Sequence, residues 1–369
     1  MKRVLICSNY AWTVFNFRLS LIDVLLSEDI NVDILTQFDG YEANFPESVG
    51  VVQDLWISRK GLNPFQDLIT FLQIFWKIIR NRPDCCLFFT IKPVIYGSLA
   101  AKVCNVRSIV TITGLGTSFI ADNWLTKIVK TLYRVVLTTP SVVIFQNKAD
   151  EKLFIDERLV HHERTKVIPG SGIDLEKFSP QPMPSSKDKI VFLMVARLLK
   201  DKGVHEFAEA AALVGSVNPK IVFWLLGPLG VENRTAIDKE LLDSWVDSRC
   251  ITYLGETDNV VKYLGAAHCV VLPSYREGLS RVILEAAAMA RPVITTNVPG
   301  CRDVIKHGIN GYLCEPRSSK QLASRIIEMA NLTDAAREQM GKAGRVLVEK
   351  DYSQRVVNKS YLDVLNSGF

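Results

Sequence analysis

Two carboxylates, Glu277 and Glu285, stand in the stretch REGLSRVILEAAAMARPVITT at 276–296, and two cations, Arg197 and Lys202, stand five residues apart upstream. A pair of acids can flank a scissile glycosidic bond. A pair of cations beside a helix N-terminus suits a diphosphate, with Arg as a planar fork and Lys as a point charge. Apolar runs at 269–272 and 293–296 bracket the acidic stretch, so it reads as strand, loop, helix, strand. That pattern puts Glu277 in the loop and Glu285 about two turns into the helix. In open α/β sheets ligands gather where strand C-termini meet helix N-termini, and free N–H groups there suit phosphate. Leu284, Ala286, Ala287 and Ala288 make the helix apolar around most of its circumference, so Glu285 needs a partner, for which a ligand hydroxyl is one candidate. Each charge alone reads equally well as a solvated loop or helix residue. Their occurrence together in corresponding loops of one domain favours a grip on a phosphorylated sugar.

Weaker signals lie around this core. Gly227 closes the strand-like run 221–226 and permits either close approach by a ligand or a tight turn. Gly255-Glu256-Thr257 follows the run 251–254 and offers backbone groups to a flat base. In the first half Gly114 and Gly116 follow the run 109–113, and the segment after the first strand carries Asn9, Tyr10, Trp12, Phe15 and Phe17 before Arg18. These residues form either an acceptor pocket with an anion contact at Arg18 or a buried aromatic cluster. No D-x-D pair occurs and the five histidines have no metal-ligand spacing, so no catalytic metal is expected.

The elements that must position these residues are strand-like runs at 4–7, 32–35, 51–55, 87–90, 109–113, 142–146 and 166–168, alternating with helical patterns. After a Pro- and Ser-rich break the rhythm restarts at 190–195, 221–226, 251–254, 269–272, 293–296 and 312–314. This is an α/β chain of two Rossmann-like doubly wound domains facing a cleft. The expected organisation is a first, acceptor-binding domain at 1–178, a linker at 179–188 and a second, nucleotide-sugar domain at 189–345. A C-terminal helix at 346–369 is drawn as crossing back to the first domain.

At 369 residues with 48% hydrophobic and 22% charged content, the chain can build two full cores. Its eight cysteines show no C-x-x-C pairing and read as small core residues in a reducing compartment. The N-terminus lacks the apolar length of a signal peptide and no run reaches the roughly 18 apolar residues that span a bilayer. Between 57 and 148, twelve Lys and Arg face three Asp, although the whole chain carries only +5. Within that region 65–82 and 124–137 are amphipathic and basic. Packed Rossmann helices look the same, but the local charge favours binding to an anionic membrane surface. The expectation is a cytoplasmic protein, peripheral on the inner face of the cytoplasmic membrane, with no nucleic-acid partner.

Arg197, Lys202-Gly203, Gly227 and Glu277-x7-Glu285, in this order, resemble the retaining glycosyltransferases of the GT-B fold, family GT4, and Pro169 to Asp174 looks like that family's pre-hinge motif. The resemblance implies a UDP-sugar donor with no metal or other cofactor. It places Arg197 and Lys202 on the diphosphate, Glu285 on the ribose, Glu277 near the sugar and the backbone of Gly278, Leu279 and Ser280 around both. Glu256 and Thr257 would face the base. Phe17-Arg18, Leu62 to Phe65 and Gly114-Leu115-Gly116 are similar to members that extend undecaprenyl-diphosphate-linked saccharides, including α-1,3-N-acetylgalactosaminyltransferases. That likeness implies a lipid-linked diphosphate acceptor, met by Asn9, Tyr10, Arg18, Gly114 and Gly116. Many members carry a Gly-Gly pair and a histidine where this chain has Asn9-Tyr10 and Thr113-Gly114, so no catalytic histidine is assigned. A UDP-N-acetylhexosamine 2-epimerase and a non-catalytic sugar-binding protein are the alternative readings.

Overall fold

The computed structural model describes residues 2–57, 63–115, 124–138, 140–215, 217–231, 233 and 235–367. The chain divides into two units, Met1–Gly172 with Gln354–Phe369, and Ile173–Ser353.

The first unit runs β1 Arg3–Tyr10, α1 Ala11–Ser27, β2 Asn31–Gln37, β3 Val52–Asp54, α2 Pro64–Asn81, β4 Cys85–Phe89, α3 Ser98–Val103, β5 Arg107–Ile112, α4 Trp124–Val136, β6 Val142–Phe145, α5 Lys148–Asp156 and β7 Thr165–Val167. The second runs β8 Ile190–Val195, α6 Val204–Gly215, β9 Ile221–Leu226, α7 Lys239–Asp247, β10 Thr252–Tyr253, α8 Val260–Ala266, β11 Cys269–Leu272, α9 Arg281–Ala288, β12 Val293–Thr296, β13 Gly311–Cys314, α10 Ser319–Ala330 and α11 Asp334–Asp351. A last helix, α12 Gln354–Asn366, belongs to the first unit.

Both sheets are parallel, in the orders β3-β2-β1-β4-β5-β6-β7 and β10-β9-β8-β11-β12-β13. The inner strands of such sheets are covered on both faces and therefore read as unbroken apolar runs, whereas β3, β7 and β10 at the outer positions are partly exposed and more polar. In β1, Leu5 and Cys7 join one core layer while Val4 and Ile6 join the layer on the opposite face. α12 supplies Val357, Tyr361, Val364 and Leu365 to that second layer. Its last turn is capped by Arg107, whose guanidinium donates to the carbonyls of Val364, Leu365 and Ser367 at 2.7–2.8 Å.

All eight cysteines are free thiols, six of them buried, and burial pushes Cys85 and Cys301 up to about 12. The stretch at 179–188 lies within the second unit. There the buried Arg291 donates to the carbonyls of Gln181 and Pro182 and also to those of Leu264 and Gly265, at 2.8–3.1 Å. The Ser186 amide donates to Asp334. Proline removes N–H donors but leaves carbonyls, and a buried guanidinium collects them.

Candidate functional site

In the second sheet the strand order reverses between β8 and β11, so the loops leaving their C-terminal ends open side by side. The first loop carries Arg197, which is exposed and makes no ion pair among the described residues, and ends in a 3-10 turn, Lys200–Lys202. The second runs from Pro273 to Ser280, whose hydroxyl accepts from the Ile283 amide as the N-cap of α9. Between the loops, the Tyr275 amide donates to the Asp201 carbonyl at 2.9 Å. Lys202 Nζ donates to Glu277 Oε1 at 2.5 Å, with both side chains largely buried. Ser274 Oγ lies 2.7 Å from the same carboxylate oxygen and 3.1 Å from the Asp201 carbonyl, with one proton to share. Lys202, expected to serve a diphosphate, thus has a carboxylate of the protein as its neighbour, and Glu277 holds it at the mouth of both loops.

Glu285 is buried in α9, and its partner is Arg281, one turn earlier, which donates from Nε at 2.9 Å. Burial raises the Glu285 carboxyl above its ordinary range, against the opposing pull of Arg281 and Lys177. Two glycines shape the loops around the site. Gly227, at φ 148°, carries its amide to the Gly255 carbonyl, and a Cβ there would run into the backbone oxygen of Ala196. Neighbouring loop backbone therefore explains this glycine without a ligand. Gly300, at φ 78°, lies under the Glu277 carbonyl in the same way. Gly278 and Leu279 are half-buried between Glu277 and the cap, while Glu256 and Thr257 are exposed in the loop after β10.

In the first unit the reversal falls between β1 and β4. Asn9 donates its backbone amide to Thr90 Oγ1 at 3.2 Å, and its buried Oδ1, like Oε1 of nearby Gln37, meets no hydrogen-bond donor among the described residues. Thr90 has φ 69°, a strained value for a β-branched residue. Tyr10 is half-buried at the start of α1, where the Trp12 amide donates to the Asp39 carboxylate at 3.1 Å. The anion at this helix start is therefore one of the protein's own. Gly114 follows β5 at φ 133°, and Gly116 and Leu62 lie outside the described residues. Arg18 corrects the sequence expectation of an acceptor anion contact. It is 4% exposed, stands 4.0 Å from the Phe89 ring centroid and donates to the Tyr361 hydroxyl at 3.4 Å. Its guanidinium is packing for α12, which the aromatic residues around it also serve.

Two family models match. Residues 3–147 match "Glycosyl transferase 4-like", and residues 176–347 match "Glycosyl transferases group 1". The chain is a group 1 glycosyltransferase of family GT4. This transferase is 27% identical, over 88% of both chains, to the N,N'-diacetylbacillosaminyl-diphospho-undecaprenol alpha-1,3-N-acetylgalactosaminyltransferase of Campylobacter jejuni. It is also 27% identical, over 74% of its own length and 73% of the relative's, to the UDP-Gal:alpha-D-GlcNAc-diphosphoundecaprenol alpha-1,3-galactosyltransferase of Escherichia coli. Among solved structures the Anabaena protein HepE in complex with UDP-glucose superposes with a TM-score of 0.79 at 19% identity, with all of both chains covered. The GT-B fold is thereby shown, and membership of the family sets aside the epimerase and the non-catalytic readings.

Sequence reasoning missed four residues that shape this transferase's site. Ser274 and Gly300 act on Glu277 across loop contacts that leave no periodic signal. Arg281 was legible as the i,i+4 partner of Glu285. Tyr275, which donates to Glu206 at 2.7 Å, was visible only as an aromatic in a polar loop.

Proposed function

We propose that the enzyme moves a hexose or N-acetylhexosamine, with N-acetylgalactosamine in α-1,3 linkage as the best assignment, from a UDP-sugar to an undecaprenyl-diphosphate-linked saccharide in surface polysaccharide assembly. The setting is the inner face of the cytoplasmic membrane. The names of the relatives in Campylobacter jejuni and Escherichia coli support the lipid-linked acceptor. The observation that carries the reading is that the loop bearing Arg197 and Lys202 and the loop that bears Glu277 and leads into α9 leave adjacent strands at one strand reversal, with Lys202 paired to Glu277.

The bond from the anomeric carbon to the β-phosphate oxygen breaks, and the acceptor oxygen bonds to the same face of that carbon. The acceptor's proton passes to the departing phosphate oxygen, and configuration is retained. Charge developing on that oxygen is met by Lys202, held by Glu277 before the reaction, and by Arg197 from its exposed loop. Glu277 holds Lys202 in place from the sugar side. Gly278 to Ser280 offer backbone groups, Glu285 takes the ribose once Arg281 turns aside, and Glu256 and Thr257 flank the base. No metal enters this reaction. The unpaired amide oxygens of Asn9 and Gln37 support an acceptor subsite at the reversal of the first sheet, since buried polar atoms without partners are uncommon.

The test is incubation with a panel of radiolabelled UDP-sugars and a short lipid-diphosphate-sugar acceptor. Transfer from one donor with retained configuration is expected. Donor turnover without transfer to any lipid-linked acceptor would refute the assignment.

A further inference from the structure

Lys202 ends a three-residue 3-10 turn, Lys200–Lys202, that is followed by Gly203 in the left-handed region at φ 77°. So short a turn holds little of its own position, and where the Lys202 ammonium stands depends on contacts from outside it. One residue makes such contacts on either side of Lys202. The Tyr275 amide donates to the Asp201 carbonyl at 2.9 Å, and the Tyr275 hydroxyl donates at 2.7 Å to Oε1 of Glu206, in the first turn of α6. Tyr275 itself stands two residues before Glu277, in the loop whose carboxylate pairs with Lys202. A Cβ on Gly203 would run into the Pro273 carbonyl, so the two loops also meet backbone to backbone.

Glu206 is 8% exposed, and its other oxygen, Oε2, is buried with no hydrogen-bond partner among the described residues. The N-terminus of α6 favours a carboxylate at this place. Among the described residues, however, the Tyr275 hydroxyl is the one hydrogen-bond donor that reaches it. Arg317, in the loop after β13, holds the Tyr275 ring from another direction, with its guanidinium 4.8 Å from the ring centroid. Burial first, and Glu206 second, raise the phenol above its ordinary value, so it stays a donor at neutral pH.

We propose that Tyr275 is a positioning residue for the transfer: by holding Asp201 and Glu206 it fixes the backbone of Lys202 against the Glu277 loop, and so sets where the ammonium meets the departing phosphate oxygen. The inference rests on the donor-site reading above. Tyr275 touches no reacting atom in this role and acts only through Lys202. Packing of the ring alone would need neither the hydroxyl nor a buried carboxylate to receive it.

The test is steady-state kinetics of the full chain, with the UDP-sugar that the donor panel selects and a short lipid-diphosphate-sugar acceptor. Rates are taken per UDP-binding site, counted by calorimetry, so that misfolded protein does not enter them. Tyr275→Phe keeps the ring and the amide and removes the hydroxyl alone. Its kcat is expected to fall about tenfold with donor KM within about twofold, because a charge displaced by a fraction of an ångström still binds but no longer fits the transition state. Glu206→Leu should reproduce the loss, and Glu206→Gln, whose amide oxygen still accepts from Tyr275, should recover most of it. In a Lys202→Ala background Tyr275→Phe should cost nothing further, because the group that it positions is gone. Full turnover in Tyr275→Phe overturns the proposal. So does a loss that multiplies that of Lys202→Ala, the mark of a general loosening of the fold. Equal losses in Glu206→Gln and Glu206→Leu would also overturn it, since the hydrogen bond would then not be what matters. If Glu206→Leu fails to fold, Tyr275→Phe and its combination with Lys202→Ala still decide. Unaltered turnover in Lys202→Ala sinks the donor-site reading itself, whereas loss in Lys202→Ala beside full turnover in Tyr275→Phe sinks the positioning role alone.

Discussion

Lys202 and Glu277 neutralise each other at 2.5 Å in a place where neither is well solvated, and substitution of one is felt by the other. Lys202→Ala should lower kcat about 100-fold or more and also destabilise the second unit by about 1–3 kcal/mol, because Glu277 loses a charged partner. Arg197→Ala is the cleaner probe. Its side chain is exposed, so a similar loss of kcat should come with a stability change within about 0.5 kcal/mol; steady-state kinetics and urea titration separate the two effects. Unchanged turnover in both variants would end the phosphate assignment. Glu285 makes the opposite trade. Burial raises its folded carboxyl above the ordinary range, so the stability it contributes is complete at low pH and is lost as pH rises through the folded value. Glu285→Gln should therefore melt above the unaltered protein at neutral pH, the gap closing in acid, while UDP-sugar binds about tenfold more weakly. A variant that melts lower at neutral pH would show that the Arg281 ion pair outweighs the desolvation.

At the scale of elements, the site depends on loops that press backbone against backbone. Gly227→Ala places a Cβ on the Ala196 carbonyl at a positive φ, so it should cost about 2 kcal/mol or more and loosen the Arg197 loop with it. Thermal unfolding without loss would mean that the loop yields more easily than its packing suggests. Helix α12 is bound to the first sheet by Tyr361, the Arg107 cap and Arg18 against Phe89. Arg18→Ala removes buried packing and a cation–π contact, and a loss of about 2–4 kcal/mol is expected. UDP binding, measured by calorimetry, should stay unchanged, since the residue belongs to the other unit. A selective effect on acceptor KM with full stability would restore the acceptor role.

The whole molecule has separate apolar cores in its two units, one spanning the second sheet and two lying on opposite faces of the first. Differential scanning calorimetry should therefore resolve two transitions. UDP at about 100 times its Kd should stabilise only the second unit, by about 2.7 kcal/mol. A rise in both transitions, or in the first alone, would contradict the donor assignment.

The inner strands and the reversal loops were readable from the chain because doubly buried parallel strands must be apolar throughout, and the loops that follow them are where polar residues collect. Glu277, Glu285, Arg197 and Lys202 could be picked out on that ground, together with the family. Apart from Arg281, one turn before Glu285, their partners could not. Lys202 and Glu277 are 75 residues apart, and only the adjacency of β8 and β11 makes them neighbours. Periodicity showed that 65–82 and 124–137 are amphipathic, yet not which faces would be covered. Packing exposes five large apolar side chains on α2, whereas on α4 Ile128 and Val135 are the large apolar residues exposed among those described. Arg18, read as an acceptor anion contact, packs against Phe89, and the stretch at 179–188, read as a linker, is tied into the second unit by a buried arginine. Local sequence sets how much of each segment must leave water; which partner receives it depends on contacts between segments far apart in the chain.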